Sequence, residues 1–333
     1  MRQFGLFRTV HHGVKLKLKW FLVIVCVLGL GGFSGLWMMA GSVASPERRD
    51  LQDYHRDYLD GEKNCGVVVS QKSFLDGKVP CLTVRPDAEG GIAKRGVVLR
   101  RQLVEAGVEV PKFGGEAGLL VLLHGRNGRK EDLLPVAERF CAVGFLCVIP
   151  DLPSHGESPI ETVGFGLRKF EAELPGKVAD EVRSELGLEE LPQFIWGMSM
   201  GGSFAIHAVS LEPERWRGMV IVSSFDRLGG VVGDSMGIFS GALQSWAEDL
   251  ISVRGGPDVN AVNPVVLAAE LKIPTLVVHG EADELISHER GETLYSAFAG
   301  PKKFMTISGG THDNVLVTDA PAYAAMAGWL LSR

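Results

Sequence analysis

A serine hydroxyl is a useful nucleophile only when an imidazole takes its proton and a carboxylate holds that imidazole in the right tautomer. This chain of 333 residues supplies one of each in the order Ser–Asp–His, each just past a short apolar run. Ser199 lies in Gly197-Met198-Ser199-Met200-Gly201, after the run Gln193–Trp196. Asp283 lies in His279-Gly280-Glu281-Ala282-Asp283 after Thr275–Val278, and His312 in Gly309-Gly310-Thr311-His312-Asp313 after Lys303–Ile307. A serine squeezed into a strand-to-helix turn is exposed but strained, and glycines two residues to either side remove the Cβ clashes that would forbid the turn. With 42 glycines in the chain the pattern is weak alone, and Gly233-Asp234-Ser235-Met236-Gly237 also matches it. Only Ser199 has an apolar strand before it and a small-residue helix after it (Gly202-Ser203-Phe204-Ala205). Ser199 is therefore the candidate nucleophile, and Ser235 is expected in a loop. A tetrahedral intermediate also needs two N–H donors aimed at its oxyanion. The backbone N–H of Met200 is one candidate, and that of Arg126, in His124-Gly125-Arg126-Asn127-Gly128, is the other. The Arg126 side chain is expected in a loop salt bridge.

These residues need a scaffold that brings strand ends together. Gly118–Leu123, Phe145–Ile149, Gln193–Trp196, Met219–Ser223, Thr275–Val278 and Lys303–Ile307 are short and apolar, as buried parallel strands are. Helical spacing is expected over Glu131–Val143 and over 201–211, 264–271, 287–298 and 320–332. An earlier hairpin is expected from Gly66–Ser70 and Pro80–Val84 around Asp76-Gly77. Residues 86–117 are glycine-rich and suggest no role. Strands alternating with helices call for an α/β fold, a mostly parallel sheet covered on both faces, with functional groups at the carboxyl ends of its strands.

With these residues in place, the sequence resembles the α/β-hydrolase superfamily. The stretches LLVLLHGRNG, VIPDLPSHGES, IWGMSMGGS and LVVHGEAD with the later GGTHDN carry the resemblance, over roughly residues 65–333. In Asp151–Ser158, Ser154 stands where a glycine is common in the family, and His155 corresponds to a position that is usually structural. The resemblance implies a serine nucleophile, hydrolysis of an acyl bond in a small-molecule ester, and no cofactor. Relatives that open haloalkanes or epoxides have Asp where this chain has Ser199, which disfavours those chemistries. The family's acid sometimes follows the strand ending here at Ser223, which makes Asp226 a backup for Asp283. Segments 159–179 and 225–263 lie where members insert caps. Their Phe165, Phe170, Phe239, Leu243 and Trp246 suggest an apolar, mobile cover and an uncharged acyl group. A peptidase or amidase, an acyltransferase, and a non-catalytic membrane-tethered interaction protein are the alternatives on the same fold.

Composition narrows the partners. With 46% hydrophobic and 22% charged residues, disorder is excluded. Residues 1–46 hold five of the 34 Lys/Arg and none of the 40 Asp/Glu, so the rest carries a net charge of −11, a poor surface for nucleic acid. Residues 1–19 read as a basic leader, 20–44 as a transmembrane anchor or signal peptide, 45–64 as a tether, and 65–333 as the hydrolase domain. Trp20–Ala40 has no charged residue and is long enough to span a bilayer. Ser42-Val43-Ala44 fits a signal cleavage site. Gly31 and Gly35 form a small-residue face that could pair two anchors. Either way the body is expected outside the cytoplasm, membrane-anchored or secreted. Disulfides are then allowed, but the turn at Asp76-Gly77 does not bring Cys65 opposite Cys81. Cys141 and Cys147 are expected as buried thiols, and no cysteine pair has zinc-site spacing with nearby histidines, so no metal is expected.

Overall fold

The structure, a computed structural model, describes residues 31–60, 66–89, 91–188, 190–237, 241–318 and 320–333. Its frame is an eight-stranded sheet in the order β1-β2-β4-β3-β5-β6-β7-β8. The strands are β1 (Val67–Phe74), β2 (Val79–Pro86), β3 (Gly118–Leu123), β4 (Phe145–Pro150), β5 (Gln193–Met198), β6 (Trp216–Val222), β7 (Thr275–Gly280) and β8 (Lys302–Ile307). β1 with β2 and β2 with β4 are antiparallel; every pair from β4 through β8 is parallel. Strand alternation explains why the central runs are apolar at every position. In β3, Leu119, Val121 and Leu123 enter one core while Leu120 and Leu122 enter the other. A strand covered on both faces has no solvent side to mark with polar residues.

Helices cover the two faces. α3 (Lys94–Glu105), α4 (Leu134–Cys141) and α12 (Ala320–Leu331) lie together on one side. On the other, α5 (Lys169–Leu186) packs on α6 (Met200–Leu211), which meets α9 (Pro264–Ala268), itself beside α10 (His288–Ala297). The glycine-rich stretch 86–117 thus contains a helix, α3, seated through Leu99 and Leu103. The helix expected over Glu131–Val143 is split into a 3-10 turn, Lys130–Leu133, and α4. Pro135 has no N–H to give to a preceding turn, which suits it to the first turn of α4 and not to a helix interior.

The hairpin runs longer than expected, and its register pairs Lys72 with Cys81. Cys65 lies outside the described residues; Cys81, Cys141 and Cys147 are buried free thiols. The first expected cap, 159–179, is only partly a cover: its second half belongs to α5, whose Leu174, Val178 and Ala179 are core. The second, 225–263, does fold as helices, α7 (Leu228–Met236) and α8 (Ala242–Val253). Ser235, expected in a loop, is on α7 and donates its hydroxyl to the Val231 carbonyl at 2.9 Å.

The basic leader and residues 20–30 of the apolar run lie outside the described residues. Residues 31–44 are helical, α1. Among the described residues no helix is long and apolar enough to cross a membrane. The segment expected as a tether is laid on the body over its described part. Ser45 Oγ donates to Glu161 O, Arg48 to Gly156 O, and α2 (Asp53–Leu59) buries His55 against Asp132.

Candidate active site

Ser199 sits between β5 and α6 with φ 54° and ψ −119°, a left-handed conformation that costs a residue with a Cβ of order 1–3 kcal/mol. The close approach of backbones enforces it. A Cβ on Gly197 would lie 2.2 Å from Gly201 O, and one on Gly201 would lie 2.1 Å from Leu123 O. The turn is braced from the next strand as well: Ser199 N donates to Val222 O, and Ser224 Oγ donates to Ser199 O, both at 2.8 Å. Ser235, in contrast, has ordinary helical backbone and its hydroxyl is spent on its own helix.

Asp283 and His312 follow the carboxyl ends of β7 and β8, where the sequence places them. His312 Nδ1 and Asp283 Oδ2 are 2.8 Å apart. The other carboxylate oxygen, Oδ1, accepts from the N–H groups of Leu285 and Ile286 at 3.0 and 2.8 Å. Burial by itself would raise the Asp283 carboxyl; the His312 ring and the Ile286 N–H outweigh it and hold the group below the usual carboxylate range. The two loops are laced together. Ala282 N donates to Gly310 O, while Ser308 Oγ and Gly309 N donate to Glu281. His279 Nε2 is 2.8 Å from Ile286 O and closes the loop that carries Asp283, and burial depresses its pKa. Asp226 is elsewhere engaged: its carboxylate meets Arg290 at 2.7 Å, and no histidine pairs with it among the described residues.

On the other flank, the loop after β3 lies beside the serine. A Cβ on Gly125 would be 3.4 Å from Ser199 Cβ and 3.9 Å from its Oγ. The N–H of Met200 opens α6, where no intrahelical acceptor exists. The Arg126 side chain makes no salt bridge among the described residues; it donates to Ser42 O at 3.2 Å, and burial lowers its pKa. Behind this loop is a cluster with no signature in the sequence. Fully buried Lys130 places Nζ within 2.6–2.9 Å of Glu131, Asp151 and Glu157, tying the loop after β3 to the loop after β4. Ser154, standing where the family often has glycine, takes φ 69° and returns its hydroxyl to Glu161 O. His155 is structural: Nδ1 is held at Pro153 O, and burial lowers its pKa to about 3.

Ser199 is 8% exposed and opens on a cleft of about 820 Å³, part of it open to solvent. Phe165, Phe225, Leu228, Val232 and Ile286 give it an apolar wall, with Arg126, Met200 and Ser235 also lining it. Leu243 and Trp246, expected in the cover, do not line the cleft and are exposed on α8; Phe239 is outside the described residues. Met39, Ser42 and Val43 of α1 do line it, a role that sequence reasoning missed. The small residues at 40–44 were the available signal, but they fit a cleavage motif equally well. Among the described residues no group of three His, Cys, Asp or Glu could hold a metal ion.

Residues 115–250 match the family model described as serine aminopeptidase, S33, and residues 197–312 match that described as serine hydrolase (FSH1). The chain is 23% identical over 248 residues to a pimeloyl-[acyl-carrier protein] methyl ester esterase of Neisseria meningitidis serogroup B, covering 62% of this chain and 89% of that one. In structure it resembles the esterase Pf2001 of Pyrococcus furiosus, with a TM-score of 0.59 at 16% identity over 87% of this chain and 98% of that one. It also resembles a 2,6-dihydroxy-pseudo-oxynicotine hydrolase, with a TM-score of 0.51 at 18% identity over 80% and 67%.

Proposed function

We propose that this chain, which belongs to the α/β-hydrolase superfamily and is one of its serine hydrolases, cleaves a small-molecule carboxylic ester through Ser199, His312 and Asp283. Ser199 Oγ attacks the ester carbonyl as its proton passes to His312 Nε2, the ring nitrogen not engaged by Asp283. The backbone N–H groups of Met200 and Arg126 receive the oxyanion. Collapse of the tetrahedral species breaks the bond to the alcohol, which leaves with the proton from His312. Water then attacks the acyl-serine, again giving its proton to His312, and the carboxylic acid departs with Ser199 Oγ reprotonated. Asp283 keeps the imidazole in one tautomer and offsets its charge.

The observation that carries this reading is the strained elbow at Ser199 opening on an apolar cleft. The His312–Asp283 pair at the ends of β8 and β7 supports it. The apolar wall favours an uncharged acyl group, and the names of the relatives favour an ester over an amide. In the full-length protein, Ser199→Ala should abolish p-nitrophenyl ester turnover and fluorophosphonate labelling, while Ser235→Ala retains labelling. Labelling that survives Ser199→Ala rejects the assignment. Turnover of aminoacyl-naphthylamides outrunning that of esters rejects the substrate class.

Residues 20–40 are proposed as a retained anchor that places the body outside the cytoplasm. The support is that the body holds the end of α1: Val163 N donates to Ala44 O at 2.9 Å, and Ala40 and Ala44 are buried. Release of the protein from the membrane pellet by alkaline carbonate would count against it.

A further inference from the structure

We infer that the end of the N-terminal apolar helix is one wall of the acyl-binding cleft, with Met39 and Val43 setting the length of acyl chain accepted. The inference rests on the ester-cleaving reading of Ser199. Met39 and Val43 are four residues apart and so share one face of α1, and both line the cleft that Ser199 opens on. The neighbouring Met38 points away and is 72% exposed. The wall is fixed in place by contacts with chain far off in sequence. Arg126 Nη1 donates to Ser42 O across the cleft, and Val163 N donates to Ala44 O. Ser45 Oγ donates to Glu161 O at 2.8 Å.

The small residues Ala40, Gly41 and Ala44 form the buried seat of this helix end. A Cβ on Gly256 would come within 3.0 Å of Ala44 Cβ, so a larger side chain at 44 would lift the helix from the body. Smallness at 40–44 is thus explained by docking, independently of any cleavage signal. Cutting the chain after Ala44 would take Met39 and Val43 out of the cleft, and with them the contacts to an acyl chain on Ser199. Helix retention and acyl selectivity are therefore one property of this protein.

The test uses full-length protein and a series of p-nitrophenyl esters from acetate to octanoate. Met39→Trp and Val43→Trp fill the wall, and each should lower the octanoate-to-acetate ratio of kcat/KM about tenfold, the scale on which a few methylenes in an apolar pocket are discriminated. Met38→Trp, the same change one residue round the helix, should leave the ratio unmoved. Met39→Ala should shift the optimum toward longer chains, and it guards against misfolding of the larger substitutions. If neither cleft-facing substitution moves the ratio while fluorophosphonate still labels Ser199, the inference is overturned and the nucleophile assignment stands. If unsubstituted protein takes no label, the nucleophile assignment itself falls.

Discussion

The elbow at Ser199 and the cover over it are held by different physics. At the elbow, and in the loops bearing Asp283 and His312, backbones approach so closely that glycine is required. A Cβ on Gly201 would meet Leu123 O at 2.1 Å, and one on Gly280 would meet Gly310 O at 2.3 Å. The outer wall of the cleft, which includes residues of α7 and the end of α1, is held by side-chain contacts and a few hydrogen bonds. Behind it, α8 packs on α7 and leaves Trp246 and Val253 61% and 72% exposed. Positions defined by backbone contact tolerate almost no change, whereas positions defined by apolar packing can be repacked. Substitutions in the first region should switch chemistry off, and those in the second should retune selectivity.

The sharpest break of that comparison is at the acid. Asp283→Asn removes the carboxylate paired with His312 Nδ1, and under the proposed mechanism kcat should fall about 10⁴-fold with little change in folding. Asp226→Asn disturbs the pairs with Arg290 and Arg227, so turnover should stay within a few-fold. An equal loss in both, measured by steady-state ester hydrolysis, would mean that the two carboxylates share the role. Next is Gly201→Ala, whose added methyl has only backbone to push against. It should cost about 1–3 kcal/mol in chemical denaturation and slow fluorophosphonate labelling together, since both depend on the same turn.

The unequal constraint also decides what could be read from the sequence. The six parallel strands were legible because buried strands restrict residue type locally, and they put Ser199, Asp283 and His312 just past the ends of β5, β7 and β8. Ser235 matched the same glycine pattern, yet nothing local showed that its backbone would be helical. The seat of α1 was not legible: Gly41 and Ala44 are small where they meet Arg254 and Gly256, more than 200 positions away in the chain. Lys130 carried no local signal because its partners Asp151 and Glu157 come from the next strand's loop. The split at Pro135 was legible in principle, through the missing N–H.

Acidification should loosen the elbow's surroundings before it reaches the carboxylates. His155, His124, His207 and His279 are buried, and burial depresses each below its ordinary value, His155 to about 3. Between the ordinary imidazole range and these lowered values the unfolded chain binds more protons, so stability rises with pH and is lost as pH falls through that window. For His155 the slope is about 1 kcal/mol per pH unit below pH 6.5. Denaturation midpoints followed from pH 7.5 to 5 should drop, and His155→Asn should flatten the curve. A midpoint indifferent to pH over that interval would show that the folded protein charges these rings freely.

The smallest effect is the one that tests the cover directly. Arg254 stacks on Trp37 at 4.7 Å and lies against Gly41, with no carboxylate partner among the described residues. Arg254→Ala should therefore cost about 0.5–1 kcal/mol, the worth of a partly exposed cation–π contact. The hydrogen bonds to Ser42 O and Ala44 O remain, so α1 should keep its seat and acyl selectivity should shift only slightly. Should Arg254→Ala instead destabilise the protein as much as Gly201→Ala, the cover would be as rigidly determined as the elbow. Graded retuning of selectivity there would then have no physical basis, because a wall that cannot repack can only fit or fail.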